Sequence, residues 1–216
     1  MERSRRAIPD LVAALESSSA QLGPHDPATI TAAHRLAIAL WRAGSINQAI
    51  SLLDRTLDGL ASTGSQHPIR RDVLCTLGQI LIEHEQWGQA GVVMGEVLEV
   101  CIGRFGENHP SSIAAMGDLS SILFESGNLA EATRLQSEAA ERARVHLGME
   151  HPVSSVLAWN RVRRSDDLAD ADTAKRILTD ELLWLLSADE TALDEDQRTI
   201  RGMVADRLNW NTAARC

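Results

Sequence analysis

The chain has 216 residues and a formal net charge of -9, with 21 Lys and Arg against 30 Asp and Glu. No stretch is a dense Lys/Arg patch, which argues against a nucleic-acid partner, and no apolar run reaches membrane-spanning length. Aromatic residues make up 3% with no Tyr, so a strand-rich core lacks its usual material, whereas the Ala and Leu that fill the apolar positions favour helix.

Cys75, Cys101 and Cys216 are odd in number and match no metal spacing, which fits a reduced, cytoplasmic setting. The basic start Met1–Arg6 is followed by Pro9, Asp10 and Glu16 rather than by an apolar run, so no signal peptide is expected. The late acidic clusters, Asp166 to Asp172 and Asp189 to Asp196, read as solvated linkers and helix starts.

In chain order, the pattern predicts a capping helix over 8–22, repeats over 24–64, 65–106 and 107–148, a degenerate fourth repeat over 149–187, and a capping helix over 191–210. The repeat announces itself at its turns: Gly23-Pro24-His25-Asp26-Pro27, Gly64-Ser65-Gln66-His67-Pro68, Gly106-Glu107-Asn108-His109-Pro110 and Gly148-Met149-Glu150-His151-Pro152. The closing prolines are 41, 42 and 42 residues apart. Ala49, Ala90, Ala132 and Ala174 keep the same beat, each 22 residues after its proline. Gly suits the left-handed end of one helix and Pro the first turn of the next.

After each proline comes a helical apolar stripe: Ala33, Leu36, Ala37 and Leu40, then Leu74, Leu77, Gly78 and Leu81, then Met116, Leu119 and Leu123 with Ser120 at the small position. A short break over 44–47, 85–88 or 126–129 leads into a second helix carrying the repeated Ala. Each period is therefore a pair, helix A and helix B, whose apolar faces need stacked neighbours. In the fourth copy Arg161 stands where the others have Leu36, Leu77 and Leu119. A Leu-rich stripe from Ile177 to Leu186 is expected to be covered by Ile200, Met203, Val204 and Leu208.

Residues 24–147 resemble the tetratricopeptide repeat, in the 42-residue form of kinesin light chains, through Leu36-Ala37, Leu40, Gly44, Ala49 and Leu53 and their equivalents. Glu85 in place of the turn glycine and Gln136 in place of the large apolar residue depart from that pattern. The resemblance implies an all-α, right-handed superhelical solenoid with capping helices, whose A helices line a concave face.

On that face it places His34, Ile38, Trp41 and Arg42 in the first copy, and Asp72, Cys75, Gln79, Ile82 and Glu83 in the second. Gly117, Ser121, Phe124 and Glu125 follow in the third, and Trp159 and Arg163 in the fourth. Trp41, Ile82, Phe124 and Trp159 would make an apolar line, or would simply pack against the next helix; Gly117 and Ser121 would leave room for a pocket. Glu83 and Glu125 favour a basic or hydrogen-bond-donating ligand, although Arg42 and Glu83 can also pair with each other.

The expected function is a non-enzymatic protein- or peptide-binding scaffold or regulatory adaptor. The alternative is a small-molecule binder or cofactor-free enzyme, as in natural-product biosynthesis, using the groove as a pocket. A His34/Cys75 pair is the one candidate for nucleophilic chemistry, and no cofactor or metal is implied. The recurrent His67, His109 and His151 read as turn caps rather than metal ligands. A homodimer through the C-terminal helices would require the Leu182–Leu185 stripe to remain exposed.

Overall fold

A computed structural model describes residues 2–63 and 69–208, with side chains placed over 6–61 and 69–208. The second-copy turn Gly64–Pro68, the end of the expected 191–210 helix and Cys216 lie outside the described residues. Those described form α-helices and short 3-10 and π segments, with no strand among them.

The chain divides into two compact units, residues 1–104 and 105–216. In the first, α1 (Glu2–Leu22) packs on α2 (Pro27–Arg42), α2 on α3 (Ile46–Thr63), and α3 on α4 (Arg70–Glu83), with α5 (Trp87–Phe105) closing the unit. In the second, α6 (Pro110–Glu125) packs on α7 (Leu129–His146), α7 on α8 (Pro152–Asp167), and α8 on both α9 (Ala171–Ile177) and α10 (Glu195–Arg207). The fold is all-α, built of consecutive antiparallel helix pairs in which α2, α4, α6 and α8 are the A helices.

The turns explain the pairing. Asp26 caps α2, its Oδ1 accepting from Ala28 N at 2.8 Å. His109 and His151 do the same through Nδ1, accepting from Ser111 N at 3.1 Å and Val153 N at 3.2 Å. The repeated His is thus a helix cap, and in the first copy, where His25 and Asp26 are exchanged, Asp26 takes over.

Each A helix ends in a left-handed residue at one position of the repeat: Gly44 (φ 87), Glu85 (φ 55), Gly127 (φ 83) and Ala169 (φ 57). The next amide then reaches back to close the helix, Ser45 to Leu40 O, Gln86 to Leu81 O, Asn128 to Leu123 O and Asp170 to Ser165 O. The second and fourth copies make this turn without glycine, so a Cβ is forced into the left-handed region there.

The repeated alanines, Ala49, Ala90, Ala132 and Ala174, are buried at 0–1% exposure. Around them Leu53, Leu60, Leu74, Ile80 and Ile113 are also buried, each contributing about 1.5–3 kcal/mol of transfer free energy. Gly78 is small because Met94 Sδ lies 2.9 Å from where its Cβ would be.

Three sequence expectations differ from the structure. Helix α1 begins at Glu2 rather than at 8, carrying Pro9 inside it, because the residues before Pro9 are good helix formers. The expected helix over 170–186 is α-helical only to Ile177, then a π turn over Leu178–Leu182 and a 3-10 turn over Leu183–Leu186. Thr179 Oγ1 there bonds the carbonyls of Lys175 and Arg176, at 3.1 and 3.0 Å, and Trp184 Nε1 donates to Glu181 O at 3.1 Å. The last segment starts as a 3-10 turn, Glu190–Ala192, before α10, whose start is a reciprocal Asp194/Gln197 capping box.

Helix α10 covers the Leu-rich stripe: Ile200 and Val204 join Ile177, Leu178, Leu182, Leu185 and Leu186 in one buried cluster, with Met203 and Leu208 at its edge. Gln197, 3% exposed, ties α10 through Nε2 to Glu150 O in the turn before α8, 2.9 Å, and to Ser155 Oγ in α8 itself, 3.3 Å.

Candidate functional site

In the first unit, α2 and α4 present the residues singled out from the sequence. Ile38, Trp41, Cys75 and Ile82 are half-buried; Arg42, Asp72, Gln79 and Glu83 are exposed. Two hydrogen bonds link the helices, each joining a residue of the first copy to the position one beyond its equivalent in the second. Trp41 Nε1 donates to Glu83 Oε2 at 2.9 Å, and His34 Nε2 lies 2.8 Å from Thr76 Oγ1. Thr76 spends its own hydrogen on Asp72 O at 3.0 Å, so His34 Nε2 is the donor in that pair.

Both bonds revise the sequence picture. Glu83 receives the indole of Trp41 rather than Arg42. His34 turns its Nε2 to Thr76 rather than to Cys75, so no base–thiol dyad is formed through that nitrogen. Burial holds the His34 imidazole below its usual value of 6.5, against an opposing pull from Asp72.

In the second unit, α6 and α8 carry the remaining candidates. Gly117 is buried and offers no pocket floor: a Cβ there would collide with Leu157 Cδ2, so α8 has taken the room. Trp159 is half-buried and packs against the C-terminal apolar cluster, so it belongs to the core side of α8. Phe124 is half-buried with the Arg164 guanidinium 4.6 Å above its ring. Ser121, Phe124, Glu125, Asn160, Arg163, Arg164 and Asp167 line a hollow of about 70 Å³.

Sequence reasoning passed over Arg164. It is 7% exposed and sits where the other copies have Ala39, Ile80 and Ile122, all buried. Its Nη1 donates to Gln136 Oε1 at 2.8 Å and its Nη2 to Ser120 O at 3.1 Å. Gln136 in turn stands where the other copies have Leu53 and Met94. Two departures from the apolar pattern therefore satisfy each other, and that coincidence was the available signal. Burial lowers the Arg164 pKa, with Glu125 and Asp167 opposing. Arg161, the other departure, is held by Glu181, whose two carboxylate oxygens each accept from Nη1 at 2.8 Å.

Among the described residues no group of three His, Cys, Asp or Glu could hold a metal ion, and no helix is long and apolar enough to cross a membrane.

Paired helices, with A helices that start at proline in α2, α6 and α8 and left-handed turns every 41 or 42 residues, define the tetratricopeptide class. A family model described as the tetratricopeptide repeat matches residues 112–153. The repeats of a Podosopora anserina protein described as a kinesin light chain, with nearly identical TPR-like units, superpose with a TM-score of 0.73 at 20% identity, over 94% of this chain and 89% of that one. A variant of the same Podosopora protein gives 0.73 at 19% identity, over 96% and 90%. BtubC (BKLC) from P. vanneervenii gives 0.69 at 17% identity, over 96% and 85%. A search of curated proteins gives no match. The chain has the tetratricopeptide fold.

Proposed function

We propose that this protein is a scaffold that binds a protein or peptide through the exposed faces of its A helices. The observation that supports it best is the strip on α2 and α4. Ile38, Trp41 and Ile82 offer half-buried apolar surface beside the exposed acids Asp72 and Glu83. Aromatic anchors beside hydrogen-bonding groups are what protein interfaces use. The acids suit a partner segment with Lys or Arg next to a large apolar side chain. Phe124, Glu125 and Ser121 would serve the same role on α6, with Arg163 on α8.

A small-molecule or enzymatic reading of the α6 and α8 faces has less support. The hollow beside Phe124, at about 70 Å³, is well below the roughly 300 Å³ at which small-molecule pockets begin. An open surface fits an extended peptide better. The homodimer reading has less support, since of its Leu-rich stripe Leu182 and Leu185 are buried, Trp184 is partly buried and Leu183 is exposed.

The test is selection from a random peptide library on the immobilised protein, repeated with Trp41→Ala and with Asp72→Asn/Glu83→Gln. Enrichment of peptides pairing a basic with a large apolar residue, lost in both variants, is the expected result. Enrichment that both variants preserve, or none at all, would remove the A-helix strip as a binding face.

A further inference from the structure

We propose that the first unit holds a second site, unrelated to the A-helix strip: a cleft between α1, α2 and α3 that binds a small zwitterion with an apolar body. The cleft has a volume of about 520 Å³, inside the roughly 300–1,000 Å³ range of small-molecule sites. Leu15, Ile30, Ala33 and Leu52 supply its apolar lining.

The feature that singles it out is the hydroxyl of Thr29. Thr29 lines the cleft and is 4% exposed, yet among the described residues its Oγ1 has no hydrogen-bond partner. A buried hydroxyl without a partner is costly. The same position in later copies shows where such a hydroxyl ordinarily goes. Ser112 Oγ donates to Gly106 O and Ser154 Oγ to Gly148 O, each at 2.7 Å, across the preceding turn. Nor does Thr29 use the carbonyl four residues back, as Thr31 does with Pro27 O at 2.7 Å. That residue is His25, which lies in the turn ahead of α2. The first copy, the one in which His and Asp are exchanged, therefore leaves the Thr29 hydroxyl in the cleft without a partner among the described residues.

Gly59 helps to form the wall. A Cβ there would approach His25 Nδ1 to 3.0 Å, so the absent side chain gives the imidazole its place beside the cleft.

Two opposite charges line the same cleft. Among the described residues Arg55 makes no ion pair and gives one hydrogen bond, Nε to Ser51 O at 3.3 Å. Glu16 likewise makes no ion pair among them, and both side chains are exposed. An apolar surface, a cation, an anion and one unpartnered inner hydroxyl, Thr56 Oγ1 being spent on Leu52 O, complement a ligand carrying a carboxylate for Arg55 and an ammonium for Glu16. Its apolar group would lie on the Leu15–Leu52 surface and an acceptor would face Thr29. That is the chemistry of a free apolar amino acid or a short apolar peptide.

Calorimetric titration of the full chain tests this with four probes: L-phenylalanine, the dipeptide Phe-Leu, phenethylamine and 3-phenylpropionate. The expected result is saturable binding of at least one zwitterion, about tenfold tighter than either single-charge probe. Preference for phenylalanine over Phe-Leu points to a free amino acid, and the reverse to a peptide. Arg55→Gln should erase the advantage over phenethylamine, and Glu16→Gln the advantage over 3-phenylpropionate. Thr29→Val should weaken binding several-fold, and Gly59→Leu should abolish it, with far-UV circular dichroism confirming that each variant is folded. Absence of saturable heat for both zwitterions at millimolar concentration would overturn the proposal. So would binding that survives both Thr29→Val and Gly59→Leu in folded variants.

Discussion

The first and fourth copies of the repeat share their turns and their buried alanine, yet they are held together differently. In the first, the positions of α2 and α3 that match Arg164 and Gln136 are the buried apolar Ala39 and Leu53, and His34 and Trp41 stay at the edge. In the fourth, α8 places Arg164 in the interior and answers it with Gln136, Ser120 O and the ring of Phe124. Its other helix leaves α geometry after Ile177, and α10 seals the stripe that a further repeat would cover. The period alone thus sets where helices start and stop, while the seams between them can be built from dispersion or from a closed polar network.

The largest expected effect tests how tightly the fourth A helix is seated. Leu157 occupies the space over Gly117, its Cδ2 standing where a side chain at 117 would begin. Gly117→Val forces α6 and α8 apart or strains Leu157, an overpacking cost of about 3 kcal/mol. Thermal and urea denaturation should show it, and Gly117→Val/Leu157→Ala should recover part of the loss. An unshifted Gly117→Val would mean that the seam is looser than described.

Next is the polar network itself. Arg164→Leu leaves Gln136 and the Ser120 carbonyl without their donor, and should cost about 2 kcal/mol. Converting both partners, Arg164→Leu with Gln136→Leu, restores an apolar seam like that of the first copy, so the double variant should be more stable than Arg164→Leu alone. A double-mutant cycle by chemical denaturation measures this coupling, and strictly additive effects would deny that the two residues act as a pair.

This network also marks the limit of what the sequence displayed. Helix pairs, the prolines, the buried alanines and the capping role of His109 and His151 were legible because each recurs on one beat and serves a local backbone need. Arg164 was not, because its partners Ser120 and Gln136 belong to the preceding repeat and only folding brings them to it. The candidate faces were read in part for the same reason. Ile38, Trp41 and Ile82 lie on solvent-reachable surface, whereas Gly117 went to Leu157 and Trp159 went to the core. Those outcomes depend on how far α8 approaches α6, which no spacing encodes.

A smaller effect, of opposite sign, separates turns with glycine from turns without. Glu85 (φ 55) and Ala169 (φ 57) hold the left-handed position that Gly44 and Gly127 hold elsewhere. Glu85→Gly and Ala169→Gly should each raise stability by about 1 kcal/mol, since the left-handed region costs a Cβ-bearing residue more than it costs glycine. Because these sites lie in different units, the double variant should gain the sum. A loss on substitution at either site would show that the side chain contributes more than its backbone strain.

The smallest expected effect concerns pH and the first copy's polar edge. Burial depresses the His34 pKa below its unfolded value of 6.5, with Asp72 opposing. The unfolded chain then binds the proton more readily than the folded one. The contribution of neutral His34 is fully present above pH 6.5 and is lost as the pH falls through the folded value. His34→Gln keeps a donor for Thr76 Oγ1 but cannot titrate. Denaturation free energies measured from pH 8 to 5 should therefore decline more steeply for the wild type than for His34→Gln, the difference opening below 6.5. Asp72→Asn removes the charge that favours the imidazolium, so it should steepen the His34-dependent decline. Parallel curves for wild type and His34→Gln would show that His34 makes no differential contribution, and the first copy's edge would then be held by its hydrogen bonds alone.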